Sequence, residues 1–406
     1  MKILILGYGN TGKSIQKYLD RKEIYTYKIW DDYAKDVPAN KVENQIGNID
    51  RKNYDLIYTS PGIKPNHIVF RHLHENKLDL QIKTDLDIFF EEYSEKAMPK
   101  IIGITGTNGK STCVEILRDI ISKSGAKVDI CGNVGIPILD YSNTQTGRDY
   151  LILELSSFQL HYVNTMILDI AGIVNISEDH IDWHEDKDEY QKIKLTIGNY
   201  LINKNKTFLG TVPPGLIDDM NMDQYVIIDK AEKEKNNISK DIQNIIFGIC
   251  DELNIDSTLI DDVLSKDRVN EHKFQIFGKD ENYTFINDSK ATNFSSVSQG
   301  LKKVKRGLLV MHGDFKGVDK KYLNIHEGIH TVVFYGEAFV DYNFGEKNIY
   351  NISKFDELPK IIDLVCTKGD TIILSPGGSS FEHFDNYQDR GFGFMKVVNE
   401  RYLLKT

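Results

Sequence analysis

Short apolar runs separated by longer stretches of mixed polarity recur along the whole chain. Runs of about four to six apolar residues, bounded by glycine or polar turns, read as buried strands; longer segments between them read as helices. Three blocks emerge. The first carries Lys2-Ile-Leu-Ile-Leu6, Tyr27-Lys-Ile-Trp30 and Leu56-Ile-Tyr-Thr-Ser60, and closes in the charged stretch Glu91 to Pro99. The second carries Lys100-Ile-Ile-Gly-Ile104, Lys127-Val-Asp-Ile130, Tyr150-Leu-Ile-Leu153 and Ile170-Ala-Gly-Ile-Val174, with helices predicted over Cys113 to Ser122, Lys187 to Asn203 and Asp241 to Leu253. The run Lys230 to Lys240 reads as a solvated turn. The third carries Tyr283-Thr-Phe-Ile286, Gly307-Leu-Leu-Val-Met311, Thr331-Val-Val-Phe-Tyr335 and Asp370-Thr-Ile-Ile-Leu374. Such alternation predicts mostly parallel α/β sheets.

At 406 residues the chain exceeds what one core organises, so two or three domains are expected. A net charge of −10 argues against nucleic acid as the main partner, while leaving room for small anions held by local cations. Four cysteines without metal-ligand spacing fit a reducing cytoplasm. The apolar run at Met1 to Gly7 is too short for a secretion signal, and no stretch approaches the roughly 18 apolar residues of a membrane span, so a cytoplasmic location without membrane contact is expected.

The chemistry concentrates at predicted strand exits. Thr105-Gly-Thr-Asn-Gly-Lys-Ser111 lies between a strand and a helix, where Gly106, Thr107, Asn108 and Gly109 let backbone N–H groups converge on phosphate oxygens. Lys110 supplies a point charge and Ser111 a hydroxyl for Mg²⁺, and Thr112 ends the cofactor-binding string just before the helix predicted from Cys113. Ile104 stands where the strict phosphate-loop spacing asks for glycine, so the loop is a variant. Gly7-Tyr-Gly-Asn-Thr-Gly12 has dinucleotide-loop spacing, with Asp31 and Asp32 after the second strand; a tight turn without nucleotide and a nicotinamide site both remain open. Glu154, ending a strand beside the phosphate strand, fits a Mg²⁺ ligand. Glu178, Asp179, His180 and Asp182 crowd the next exit as metal or substrate ligands. Lys194, by itself, reads as a surface lysine. Asn287-Asp-Ser-Lys-Ala-Thr-Asn293, Gly313-Asp-Phe-Lys-Gly-Val-Asp319 and Ser375-Pro-Gly-Gly-Ser-Ser380 make three polar exits in the last block, which suggests a polar, anionic ligand.

Taken in order, these strings resemble the Mur ligases over nearly the whole chain. Leu153-Glu-Leu-Ser-Ser-Phe-Gln-Leu160, Asn287 to Asn293, and the Ser375 stretch running into Asn386-Tyr387 and Arg390-Gly391 favour the D-glutamate-adding branch. The resemblance implies three domains: a Rossmann-like domain over 1–95 for a uridine-nucleotide substrate, a P-loop-type ATPase domain over 96–268, and a Rossmann-like amino-acid domain over 269–406. It implies ATP, two Mg²⁺ ions, and UDP-N-acetylmuramoyl-L-alanine and D-glutamate as substrates of a monomeric ligase of peptidoglycan precursor synthesis. Lys110 and Ser111 would take phosphates and Mg²⁺, Glu154 and His180 would serve the metals, and Lys194 would be carbamylated. Lys273 and Asp288 would meet ATP. Gly9, Asn10, Thr11, Asp31, Ser60 and Asn133 would face the nucleotide substrate. Lys290, Thr292, Lys316, Ser380, Phe381 and Tyr387 would grip D-glutamate.

The chain departs from that pattern in places. Asn237-Ile-Ser-Lys240 replaces a Gly-x-His-Asn motif associated with adenine, and His272-Lys273 replaces His-Arg, which loses bidentate donors. His312 stands for a glycine, and Asp32-Tyr33 for a Thr-Arg pair. The competing readings are a folylpolyglutamate synthase-like ligase, a nicotinamide dehydrogenase and a non-catalytic nucleotide-binding regulator. The first gives no reason for the Gly7–Gly12 turn, and the second leaves Lys110 and Glu154 unexplained.

Overall fold

The computed structural model describes residues 1–34, 36–93, 99–141, 147–202, 207–213, 215–216, 225–236, 238–266, 271–315, 323–336 and 344–403. Each of the three blocks builds one sheet. The first contains β1 (Lys2–Leu6), β2 (Thr26–Trp30), β3 (Leu56–Thr59) and β4 (Gln81–Lys83), in the order β2-β1-β3-β4 and all parallel. Its helices are α1 (Asn10–Lys22), α2 (Ile68–Glu75) and α3 (Asp85–Tyr93).

The second sheet contains β5 (Lys100–Thr105), β6 (Val128–Gly132), β7 (Tyr150–Glu154), β8 (Ile170–Asn175), β9 (Thr207–Thr211) and β10 (Tyr225–Ile227), in the parallel order β10-β9-β8-β5-β7-β6. β5 is a continuous apolar run because it is central and buried on both faces, as parallel strands between helices are. The helices here include α4 (Lys110–Lys123), α5 (Ile138–Tyr141), α6 (Ser157–Tyr162) and α7 (Lys187–Leu195), with a further helix at Lys240–Glu252. The helix predicted over Lys187 to Asn203 is shorter: the α-helical part ends at Leu195, and a 3₁₀ segment runs from Thr196 to Tyr200.

The third sheet contains β11 (Gln275–Lys279), β12 (Thr284–Asn287), β13 (Gly307–His312), β14 (Ile329–Tyr335), β15 (Asn348–Ile352) and β16 (Thr371–Gly377), in the order β11-β12-β16-β13-β14-β15. Only the β11–β12 pair among these is antiparallel.

The chain forms two compact units. One joins Met1–Ser177 to Trp183–Asp267; the other joins Arg268–Thr406 to the short segment Glu178–Asp182. The first unit therefore holds two sheets, and they share a core: Ile3, Ile5, Phe89 and Phe90 belong to the same apolar cluster as Leu139, Tyr141, Leu151 and Ala171. Apolar area buried in this shared cluster stabilises both sheets together, at roughly 25 cal/mol per Å². The segment Glu178–Asp182 joins the other unit because Ile181 packs on that unit's core, with Phe294 and Met311, and Asp179 accepts from Asn293 Nδ2 at 2.9 Å. Among the described residues, no helix is long and apolar enough to cross a membrane.

Candidate active site

The phosphate loop is built where β5 meets α4. Gly106 (φ +150°) and Gly109 (φ +82°) take backbone conformations that favour glycine, and a Cβ on Gly106 would lie 3.2 Å from Asn175 N. The loop is fastened to the end of β8: Thr107 N donates to Asn175 O (2.8 Å), Asn108 N donates to Asn175 Oδ1 (2.9 Å), and Asn175 Nδ2 donates back to Asn108 O (3.1 Å). Thr107 is buried, its hydroxyl 2.9 Å from Tyr190 OH. Lys110 Nζ donates to Gly106 O (2.8 Å) and Thr107 O (3.0 Å). Ser111 and Thr112 follow on the first turn of α4.

Glu154 closes β7 directly beside the loop, in register with Ile104 of β5. It is 1% exposed; Oε1 accepts from Asn133 Nδ2 at 2.9 Å, while Oε2 is buried without a hydrogen-bond partner. A buried carboxylate oxygen left unsatisfied costs about 1–3 kcal/mol or more, which marks a place for a cation. Gly132 (φ +101°) makes the Asn133 contact possible, since a Cβ there would come within 2.3 Å of Glu154 O. Beyond Glu154, Ser156 and Gln159 form a reciprocal capping box that starts α6; half of the Ser-Ser-Phe-Gln string is thus helix architecture.

Lys194 is not the surface residue its type suggests. It is 1% exposed on α7, over the Tyr190 ring, and its Nζ donates to Gly106 O at 3.0 Å. Two lysine side chains, Lys110 and Lys194, thus share one carbonyl.

A cleft of about 460 Å³ in the same unit gathers Gly7, Gly9, Asn10, Thr11, Asp31 and Ser60 from the first sheet with Asn133, Ser156 and Gln159 from the second. The turn needs two of its three glycines on steric grounds: a Cβ on Gly12 would lie 2.0 Å from Gly7 O, and Gly7 has φ +90°, whereas Gly9 faces open space. Ser60 Oγ donates to Gly7 O at 3.1 Å. Asp31 accepts from Tyr8 N (2.6 Å), Tyr33 N (2.8 Å) and Ala34 N (2.7 Å), so the acid at the second strand's end first holds the turn itself. Asp85 also lines this cleft, and burial raises its carboxyl to about 6.

The second unit brings its polar strand exits together. Asp288 is buried, accepting from Phe274 N and from Ser375 Oγ, each at 2.8 Å. Burial raises its carboxyl to about 6, opposed by those two hydrogen bonds and by the charge of Lys273. Lys290 N donates to His272 O (2.8 Å), and its ammonium sits 5.6 Å from the Tyr387 ring centre. Thr292 is half-buried, Ser380 buried and Phe381 exposed. Of the exit predicted over Gly313 to Asp319, Lys316 and the residues after it lie outside the described residues, as does Asn237. His180 belongs to this unit, with φ +54° and its Nε2 3.8 Å from Asp179 Oδ2.

Sequence reasoning missed the organiser of this region. Arg390 is fully buried and binds Ser289 Oγ, Ser289 O, Gly378 O, Ser379 O and His312 Nδ1 at 2.8–3.1 Å. It therefore ties the exits of β12, β13 and β16 together. Burial lowers its guanidinium to about 9, and burial with the Arg390 charge lowers His312 to about 3, so His312 accepts as a neutral ring. In the sequence Arg390 counted only as part of the Asn386-Tyr387 and Arg390-Gly391 string of the resemblance, with no role of its own.

A variant phosphate loop, a buried acid on the neighbouring strand, and a second α/β unit with convergent polar loops define the fold of an ATP-dependent ligase. Comparison with known proteins agrees. Residues 104–249 match the Mur ligase middle domain. The chain is 30% identical, over 98% of its length and 95% of the relative's, to UDP-N-acetylmuramoylalanine–D-glutamate ligase of Francisella tularensis subsp. mediasiatica. It shares its fold with a pseudomurein peptide ligase type C from Methanothermus fervidus (TM-score 0.58, 18% identity, 98% of this chain and 99% of that one). It also matches a MurF ligase from Thermotoga maritima solved in complex with ADP (TM-score 0.57, 14% identity, 86% and 89%). The chain belongs to the Mur ligase family. Within that family it falls with the UDP-N-acetylmuramoylalanine–D-glutamate ligases, ADP-forming enzymes of peptidoglycan precursor synthesis.

Proposed function

We propose that this chain, as a monomer, uses ATP to join D-glutamate to UDP-N-acetylmuramoyl-L-alanine. The observation that carries the reading is Glu154: a buried carboxylate with an unfilled oxygen, in register with the strand that launches the phosphate loop and hydrogen-bonded to Asn133 of the cleft.

The roles follow from position. The uridine diphosphate moiety lies in the cleft against Gly9, Asn10, Thr11, Asp31 and Ser60, with Asn133 nearest the reacting end. The backbone amides of residues 106–112 and the Lys110 ammonium hold the triphosphate. The alanyl carboxylate attacks the γ-phosphorus and ADP departs, leaving an acyl phosphate. The amine of D-glutamate then attacks the acyl carbon, and the tetrahedral adduct collapses to amide and inorganic phosphate. Such steps depend on positioning and charge neutralisation. Where Mg²⁺ is bound, Ser111, Glu154 and a Lys194 carbamate would hold it, and it would neutralise phosphate charge.

Carbamylation of Lys194 is supported by its burial and by its sharing of Gly106 O with Lys110: turning one of two convergent cations into an anion relieves their repulsion. His180 adds a cation or metal ligand. In the second unit Lys273 and Asp288 meet the nucleotide, while Lys290, Thr292, Lys316, Ser380, Phe381 and Tyr387 receive D-glutamate. Phosphate release tests the whole reading. It should require ATP, the muramoyl nucleotide and D-glutamate together; release that proceeds with a folate acceptor and not with the muramoyl nucleotide overturns it.

A further inference from the structure

Where α6 meets the start of α7 lies a cluster that the ligase chemistry does not use. His161 lies in the last turn of α6, His184 precedes α7, and Glu189 lies on α7. One nitrogen from each histidine and one Glu189 oxygen all lie within 4.8 Å of one another. His161 Nδ1 is 3.5 Å from Glu189 Oε1, and His184 Nδ1 is 3.8 Å from Glu189 Oε2. These gaps are too long for hydrogen bonds. They come close to the roughly 3.3 Å separation of two ligands on a tetrahedral ion bound at about 2.0–2.1 Å.

The geometry points to a transition-metal site, formed by His161 Nδ1, His184 Nδ1 and a Glu189 carboxylate oxygen, that takes Zn²⁺ and pins α6 to α7. Four features support it. His161 Nδ1 is buried and makes no hydrogen bond. His184 is fully buried, and its other nitrogen, Nε2, lies 3.0 Å from Ser157 Oγ; a proton there leaves Nδ1 as the donor atom, the usual arrangement of a metal-bound imidazole. Glu189 Oε2 accepts from Glu185 N at 2.6 Å, which orients the carboxylate. The rings of Phe158, Trp183 and Tyr190 pack on the two histidines and keep the surroundings apolar.

Two imidazoles with one carboxylate suit Zn²⁺ rather than Mg²⁺, which prefers all-oxygen shells. The ion would be structural. It would clamp the helix that starts three residues after Glu154 to the helix that carries Lys194, holding both groups in place without touching substrate.

The test uses the full chain, stripped with a chelator and titrated with Zn²⁺ alone in excess Mg²⁺. One equivalent should bind and raise the melting temperature, as a ligand selective for the native state must. His161→Ala and Glu189→Gln should each weaken Zn²⁺ at least about 100-fold, since even loss of an outer-shell partner costs about 10–100-fold. Glu154→Gln should leave zinc affinity unchanged. X-ray absorption at the zinc edge of the unaltered protein reads the ligand set without any variant, so a misfolded mutant cannot decide the matter. Two imidazoles with oxygen support the site. Sulfur ligation, an all-oxygen shell, no stoichiometric binding, or equal affinity in the His161 and Glu189 variants overturns it.

Discussion

Replacing Arg390 by lysine is the sharpest test of how the second unit is held together. The guanidinium serves five acceptors: Ser289 Oγ, Ser289 O, Gly378 O, Ser379 O and His312 Nδ1. An ammonium has three donors at one point and cannot span a planar fork's reach. At least two acceptors are then stranded in a region where Arg390 itself is fully buried. At about 1–3 kcal/mol for each unsatisfied buried group, the loss is about 2–6 kcal/mol, against a total of about 5–15 kcal/mol for an ordinary domain. Scanning calorimetry should show the transition of the second unit moving down by many degrees while that of the first unit stays put. Because the tethered loops carry Lys290 and Ser380, KM for D-glutamate should rise more than KM for the muramoyl nucleotide. Equal melting of Arg390→Lys and parent, within about 1 kcal/mol, refutes the organising role. Unchanged D-glutamate kinetics refutes the link to substrate.

Two further outcomes are expected. Lys194→Ala should lose most activity, more than about 100-fold, and short carboxylic acids should restore part of it by supplying the missing oxygens; full turnover of the mutant in CO₂-depleted buffer contradicts the carbamate. Asp288, at about 6 when folded against 3.8 ordinarily, keeps its proton in the native state after the unfolded chain has lost it. Stability of the second unit should therefore fall as pH rises from about 4 to 6 and level off above, by up to about 3 kcal/mol from this group. Asp288→Asn should flatten that slope in denaturant titrations, and an unchanged slope would count against the buried-acid account.

The phosphate strand, the helix after it and the parallel α/β class were legible because a continuous apolar run flanked by glycine leaves few alternatives. β4 was not, being three residues long, nor was β15, a mostly exposed edge strand (Asn348-Ile-Tyr-Asn-Ile352) whose asparagines stand three apart and break the period of two. β9 hides behind Gly210, a residue that weakens a strand pattern; it stands there because a Cβ would meet Val174 O at 2.0 Å. At the site, glycine and acid positions could be read from spacing, since they serve local geometry. Lys194 and Arg390 could not, because burial of a cation is decided by distant partners, a carbonyl 88 residues away for Lys194 and one 101 residues away for Arg390. Asp31 was read as a ligand group, while its carboxylate already serves three backbone amides.

The common core of the first two sheets has an evolutionary consequence. Leu86, Phe89 and Phe90 are buried in the same cluster as Leu139, Tyr141 and Leu160, and Asp87 Oδ1 accepts from Asn164 N and Thr165 N. A crossover between the first sheet and the second would sever that cluster and leave two raw apolar faces. The pair is therefore the piece that inheritance would move as a whole, whereas the second unit, with cores of its own, is the piece that could change without disturbing it.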